Sequence, residues 1–260
     1  MKELKDTITI FQNFACTKKE RLDFVTENVP KLAKVWGDYN HHINYNHTQY
    51  FEEYHKLYKN NYPNLTMYND LTKDWALIAL SMLQEIDTPY ILNYAEDYEC
   101  NMTKEEWENF VTEAIFEKEI KFVNLTKIRK YTRDEERKMG NYTDGKYGYY
   151  YKAKDSPPTR ISGTGIFEKE WYIQILTEFV ERRDEFIDKI PYGYLELPNC
   201  LEGYLDYDRG IRTYGEMQCG IPKKDIFVHW DAVTQQAEYV NKQTGVAKGN
   251  ARDHDDYWNR

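Results

Sequence analysis

In Thr88-Pro89-Tyr90-Ile91-Leu92-Asn93-Tyr94-Ala95-Glu96-Asp97-Tyr98-Glu99, an apolar strand over Tyr90–Tyr94 runs directly into three carboxylates within four residues. Just upstream, Trp75, Ile78, Ala79, Met82 and Leu83 recur at the spacing of one helix face. Thr72 stands where an N-cap belongs, so the spacing predicts a helix over Thr72–Ile86. Helix, then buried strand, then acidic cluster is the grammar of an α/β sheet. Ligands of such sheets sit beyond the carboxyl ends of the strands.

Working outward, the alternation continues in both directions. Thr7–Phe14 is β-branched and aromatic and predicts a first strand. Lys18–Val29 carries Leu22, Val25 and Val29 at helical spacing, and Pro30 is expected to close that helix. His41–Tyr45 reads as a second strand, Thr48–Asn60 as a helix and Leu65–Tyr68 as a short extended piece. Downstream, Thr103 with Glu106 forms a capping box that opens a helix to about Phe116, and Ile120–Leu125 is another strand. Strands alternating with such helices predict a mostly parallel sheet with helices on both faces.

Beyond this the pattern changes. Arg129–Pro158 is polar and predicts a long mobile loop. Ser162-Gly163-Thr164-Gly165 is expected to lead into a helix from Phe167 to about Ile187. Short Gly/Pro-punctuated pieces follow: Tyr192–Leu197, a turn-rich Asp206–Gly210 and a strand-like Ile226–Trp230. The last twenty residues are polar and are expected to fray.

The 260 residues suffice to bury a core without staples. A hydrophobic fraction of 41% and a charged fraction of 30% exclude collagen-like and low-complexity chains. The balance of 35 basic and 44 acidic residues, a net charge of −9, argues against a nucleic-acid partner. No apolar run approaches the ~20 residues of a membrane span, so no transmembrane segment is expected. The charged start, Met1–Asp6, lacks a signal region, and Cys16, Cys100, Cys200 and Cys219 form no CxxC pair. Together these predict a cytoplasmic protein with reduced thiols. The Asn-x-Thr triplets at Asn46, Asn64, Asn101, Asn124 and Asn141 then reflect a chain rich in Asn and Thr rather than modification. The 24 tyrosines and 6 tryptophans suit surfaces that grip sugars, although biased composition explains them equally well.

Three carboxylates at a strand end offer oxygen ligands to a hard cation such as Mg²⁺, which takes one or two carboxylates plus substrate phosphates. A solvated acidic turn ahead of a helix would read the same way. From the opening strand ending in Phe14-Ala15-Cys16-Thr17, through the Thr72–Ile86 helix, to Thr88-Pro89-Tyr90-Ile91-Leu92-Asn93-Tyr94-Ala95-Glu96-Asp97, the chain resembles nucleotide-sugar glycosyltransferases of the GT-A fold. The likeness continues through Glu105–Phe116, Lys121–Leu125 and Ser162–Phe167, and so covers roughly residues 5–190. One departure is that the family's Asp-x-Asp stands here as Glu96-Asp97-Tyr98-Glu99.

The resemblance implies a GT-A-like (Rossmann-like) mostly parallel sheet flanked by helices, with a helical and irregular C-terminal acceptor part. It implies one catalytic domain over 1–240, with a nucleotide-sugar-binding half at 1–128, an acceptor half at 129–240 and a tail at 241–260. The donor would be a nucleotide-diphosphate sugar, the acceptor a glycan or other hydroxyl compound, and the cofactor Mn²⁺ or Mg²⁺. Thr17 and Arg21 would border the nucleotide, although Arg21 also suits a surface helix. Lys73, with Asp74, would line the donor pocket or simply end a solvated helix. Asp97 would meet ribose or metal, Glu99 the metal, and His229 the metal or diphosphate unless it is a structural strand histidine. No particular sugar, nucleotide or oligomeric state is implied.

An inverting transferase also needs a carboxylate to take the acceptor proton. Glu202 is the first candidate and Glu196 the next, both in turn-rich segments, and either also suits a surface acid. The Lys146–Arg160 stretch, with its interleaved cations and tyrosines, would form a lid over the acceptor or a plain solvated loop. His41, His42, His47 and His55 match no compact zinc spacing. Two rival readings differ in their signals. A nucleotidyltransferase should carry a Gly-rich loop after the first strand, which Phe14-Ala15-Cys16-Thr17-Lys18-Lys19 lacks. A non-catalytic carbohydrate- or protein-binding module would keep its ligand when Asp97 and Glu99 are neutralised.

Overall fold

Strand ends rich in amides and strand middles rich in Ile, Leu, Val and Phe set the architecture. The computed structural model describes residues 3–15, 19–46, 50–69, 75–96, 98–125, 142–152, 164–186, 218–224 and 226–229. Eleven strands lie within them: β1 (Ile8–Ala15), β2 (Asn40–Asn46), β3 (Leu65–Tyr68), β4 (Tyr90–Asn93), β5 (Tyr98–Cys100), β6 (Phe122–Asn124), β7 (Thr143–Asp144), β8 (Gly148–Lys152), β9 (Gly165–Glu168), β10 (Gln218–Pro222) and β11 (Phe227–His229). The α-helices are α1 (Lys19–Trp36), α2 (Phe51–Asn61), α3 (Trp75–Leu83), α4 (Lys104–Val111) and α5 (Lys169–Phe186).

Nine strands form one sheet in the order β3-β2-β1-β4-β9-β6-β10-β8-β7, while β5 and β11 pair separately. The β3-β2-β1-β4 block is parallel, as are β6 and β10. β9 runs antiparallel to both its neighbours, β4 and β6, and β8 and β7 close the far edge antiparallel. The sheet is therefore mixed and mostly parallel, as its alternating elements predict.

Helices cover both faces. On one, α3 and α5 bring Ile78, Met82, Tyr172 and Phe179 onto Phe11, Ile91, Phe122 and Phe167. On the other, α1 and α4 bring Leu32, Trp36, Trp107 and Phe110 onto Ile8, Ile10, Leu92 and Val123. A third cluster seats α2 and the first half of α1 on β2. No helix among the described residues is long and apolar enough to cross a membrane. Cys100 and Cys219 are free thiols; Cys16 and Cys200 lie outside the described residues.

Three local expectations need correction, and one strand was not foreseen. Pro30 does not close α1, which runs on to Trp36. A proline inside a helix costs ~3 kcal/mol, but Leu32, Val35 and Trp36 continue the buried stripe beyond it, and Trp36 packs edge-on to Trp107. The expected loop at Arg129–Pro158 contains the β7–β8 hairpin in its described part. Tyr149 and Tyr151 enter one core and Tyr150 the other, so consecutive tyrosines fill both faces of a covered strand. The glycine turn leads first into β9 rather than directly into a helix, because Ile166 and Phe167 are buried between β4 and β6. Gly165 is required there, since a Cβ would approach the Val123 carbonyl oxygen to 2.5 Å. Finally β10 fills a central position although Gln218-Cys219-Gly220-Ile221-Pro222 carries little strand signal.

The capping box forms as read, with Glu106 N donating to Thr103 Oγ1 at 3.2 Å and Thr103 N to Glu106 Oε2 at 2.9 Å. After α4 the chain widens into a π-helical turn, Thr112–Glu117. This turn carries Glu113 inward, where its carboxylate accepts from Lys146 N at 2.8 Å, Tyr147 N at 3.1 Å and Gly148 N at 3.2 Å. The Tyr150 hydroxyl donates to it at 2.7 Å. Burial, then the hydrogen bond and charge of Glu113, push the Tyr150 phenol well above its usual range. A Cβ on Gly145 would collide with the same carboxylate. One acid thus organises the whole hairpin turn.

Candidate functional site at the carboxyl ends of the parallel strands

Four of the parallel strands carry a buried asparagine at or near their carboxyl end. Asn13 lies near the end of β1, Asn44 near that of β2, Asn93 ends β4 and Asn124 ends β6, and all four are buried. Asn13 is the register partner of Asn44, while Gly165 of β9 is the register partner of both Asn93 and Asn124. Amides are therefore aligned along the rim where ligands of such sheets bind. An amide offers two donors and an acceptor, a set suited to base edges and sugar hydroxyls.

These amides also tie helices to the rim. Asn44 Nδ2 donates to Asn13 Oδ1 at 3.0 Å, and Asn13 Nδ2 donates to the Trp75 carbonyl at 2.9 Å. Trp75 Nε1 returns a bond to the Asn13 carbonyl at 2.7 Å. This exchange fastens the start of α3 to β1. Asn93 Nδ2 reaches the Tyr172 hydroxyl of α5 at 3.3 Å. On the opposite face Gln12 Nε2 donates to the Tyr94 carbonyl at 3.4 Å, and Gln12 Oε1 has no partner among the described residues.

Beside this rim lies a buried ion pair. Arg21, in the first turn of α1, pairs through a guanidinium nitrogen with Glu96 Oε1, three residues past β4. The Glu96 side chain is 1% exposed and that of Arg21 27%. The Tyr58 phenol is raised far above its usual range by burial first, then by neighbouring tyrosines and the Glu96 charge. Glu96 is thus the enclosed member of the pair and Arg21 the member that reaches solvent.

The remaining acids and histidines fall as follows. Glu99 lies on β5, with Lys31 Nζ 3.0 Å from its Oε1. β11 pairs with β5 so that His229 is the register partner of Tyr98, between Asp97 and Glu99 in sequence. The strand pairing thus brings the backbone at position 229 to the acidic cluster across more than a hundred residues of chain. Asp97, Thr17, Lys73, Asp74, Glu196 and Glu202 lie outside the described residues, as does most of Lys146–Arg160 beyond Lys152. No group of three metal-binding side chains occurs among the described residues.

Among the described residues, His41, His42 and His55 do not converge. His41 is stacked on Tyr62 at 3.8 Å, with Nε2 2.9 Å from the Trp36 carbonyl. His42 Nδ1 lies 2.8 Å from the Tyr68 hydroxyl, His55 lies edge-on to Phe51, and His47 lies outside the described residues.

The amide rim and the pairing of Glu96 with Arg21 went unread in the sequence. A signal was present: Phe11-Gln12-Asn13, His42-Ile43-Asn44, Ile91-Leu92-Asn93 and Phe122-Val123-Asn124 each place an asparagine in the second half of a strand, the last two at its final residue. The Arg21–Glu96 pair spans 75 positions and has no local signature.

No family model matches the chain, and no curated protein does. Solved structures do. TarS 1–349 of S. aureus in complex with UDP matches with a TM-score of 0.51 at 12% identity, over 85% of this chain and 59% of that one. TarS 1–349 in complex with UDP-GlcNAc matches with a TM-score of 0.50 at 12% identity, over 85% of this chain and 57% of that one. The chain spans less than two thirds of the length of these TarS chains. TarS has a fold of the GT-A type. At the level of the fold, this chain resembles the GT-A nucleotide-sugar glycosyltransferases.

Proposed function

We propose that the chain is a glycosyltransferase that moves a sugar from a nucleotide-diphosphate sugar to a glycan or other hydroxyl acceptor. The observation that carries this reading is the amide rim with its adjoining Arg21–Glu96 pair, set at the strand ends of a GT-A-type sheet. The likeness to structures solved with UDP and UDP-GlcNAc supports a nucleotide-sugar donor. In this reading residues 1–128 serve the donor, 129–240 the acceptor, and 241–260 form a tail.

Thr17, Arg21, Lys73 and Asp97 contact the nucleotide. Asp97, Glu99 and His229 would hold Mn²⁺ or Mg²⁺; the two carboxylates suit either ion, and the imidazole suits Mn²⁺ better than the harder Mg²⁺. The pairing of β11 with β5 supports that set, and the Lys31–Glu99 pair would have to open for it. Such an ion, when bound, neutralises charge on the departing diphosphate. The acceptor oxygen bonds to the anomeric carbon as the bond to the diphosphate breaks. In an inverting enzyme the acceptor proton passes to Glu202 or, failing that, Glu196.

Thermal unfolding with UDP, GDP, ADP and CDP, each with and without Mn²⁺, tests the reading. A ligand at 100 times its dissociation constant should add about 2.7 kcal/mol of stability. If none of the four nucleotides raises the midpoint, the reading falls. Asp97→Asn with Glu99→Gln should abolish any Mn²⁺-dependent part of the shift. Glu202→Gln or Glu196→Gln should slow transfer by about 10²-fold or more while leaving donor affinity intact.

A further inference from the structure

We propose that Glu96 is a positioning residue, which aims the guanidinium of Arg21 at the diphosphate of the bound nucleotide; this rests on the nucleotide-sugar reading. The two residues join neighbouring turns at the sheet's rim: Arg21 follows β1 and Glu96 follows β4, and β1 and β4 are adjacent strands. The pair has a dry end and a wet end, with Glu96 enclosed and Arg21 partly exposed.

Stability alone does not account for these two residues. A cation in the first turn of a helix faces the positive end of the helix dipole. Taking an ion pair out of water costs about as much as the pairing returns, so apolar residues would join the two turns equally well. What the pair adds is orientation. A guanidinium presents five donors in one rigid plane, so a buried oxygen that fixes one of them fixes the direction of the rest. Glu96 itself is enclosed, its side chain 1% exposed, so Arg21 is the member of the pair that opens toward a ligand. Phosphate oxygens are the partners that such a fork matches.

The test uses whichever of UDP, GDP, ADP and CDP binds the whole chain most tightly, together with the corresponding nucleoside, which has no phosphate. Glu96→Ala should weaken the nucleoside diphosphate by about tenfold or more, the scale of a charge-assisted hydrogen bond, and leave nucleoside affinity unchanged. Arg21→Ala should do the same, and the double variant should bind no worse than Arg21→Ala, the outcome expected when Glu96 serves the ligand through Arg21. Glu96→Gln keeps the oxygen acceptor and should restore binding to within about threefold of wild type. If Glu96→Ala does not fold, Glu96→Asp, whose carboxylate sits one methylene further back, should give the same selective loss.

Equal losses for diphosphate and nucleoside, or additive losses in the double variant, would overturn the role of Glu96. A wild-type chain that binds none of the four nucleotides would overturn the functional reading and this one with it. A wild type that binds, but whose affinity is indifferent to Glu96, overturns only the positioning role.

Discussion

Glu113 and Glu96 are both buried carboxylates, and the chain compensates them differently. Glu113 is met by neutral donors, three backbone N–H groups and a tyrosine hydroxyl, all from one hairpin. Glu96 is met by a guanidinium from another element, which keeps contact with water. Neutral donors fixed in a turn spend the carboxylate on architecture, because nothing charged is left to offer a ligand. An arginine partner passes the charge outward to the rim of the sheet. The first arrangement is that of a structural acid, and the second is the one we propose to serve a site.

That contrast can be broken at its strong end first. Glu113→Ala strips the acceptor from three N–H groups and a phenol, and each buried donor left unmade costs about 1–3 kcal/mol. With partial access of water to the turn, urea unfolding should show a loss of about 4 kcal/mol and no effect on nucleotide affinity. A loss below about 1 kcal/mol would mean that strand pairing alone holds the hairpin.

His41 extends the comparison to a buried base, bonded to the Trp36 carbonyl through one nitrogen. Burial lowers its pKa to about 4. Because the folded state resists the proton that the unfolded state accepts near pH 6.5, the stability from neutral His41 is complete above that pH and is lost as pH falls toward 4. Between pH 7 and pH 5 this group should account for about 2 kcal/mol of lost stability. Denaturant midpoints at both pH values should show a flatter dependence for His41→Asn. An unchanged slope would assign the acid sensitivity to other groups.

The smallest expected effect sharpens the contrast most. Arg21→Met combined with Glu96→Leu replaces the ion pair with apolar side chains and should change stability by no more than about 1 kcal/mol. The same variant should lose about tenfold of its preference for a nucleoside diphosphate over the nucleoside. A destabilisation matching that of Glu113→Ala would make the two carboxylates alike.

What could be read from the sequence follows from which forces act locally. β1, β4 and β6 were legible because β-branched and aromatic runs have few alternatives, and α4 because the bonds of Thr103 and Glu106 span only three positions. Pro30 misled because the burial of Trp36 against Trp107 outweighs a local cost. β8 and β10 were hidden for the converse reason. Their tyrosines, glycines and proline suit a strand only once neighbours cover both faces. At the site, the acidic cluster was visible as a composition, but Glu96 acquired its partner only when β1 and β4 became adjacent. The asparagines at the strand ends were visible one by one, and their alignment needed the register.

The antiparallel strand β9 between β4 and β6 also fixes the order in which the molecule can be completed. β6 has been synthesised by residue 124, yet its partners are β9 and β10, and neither has left the ribosome by then. At about 5–20 residues per second, Phe122–Asn124 waits on the order of seconds for Gly165–Glu168 and longer for Gln218–Pro222. Throughout that interval the nascent chain carries an unpaired strand and the open edge of β4, the kind of surface that recruits chaperones or other nascent chains. A fragment ending before β9 is therefore no smaller version of this protein. The sheet closes from the middle, and it closes late.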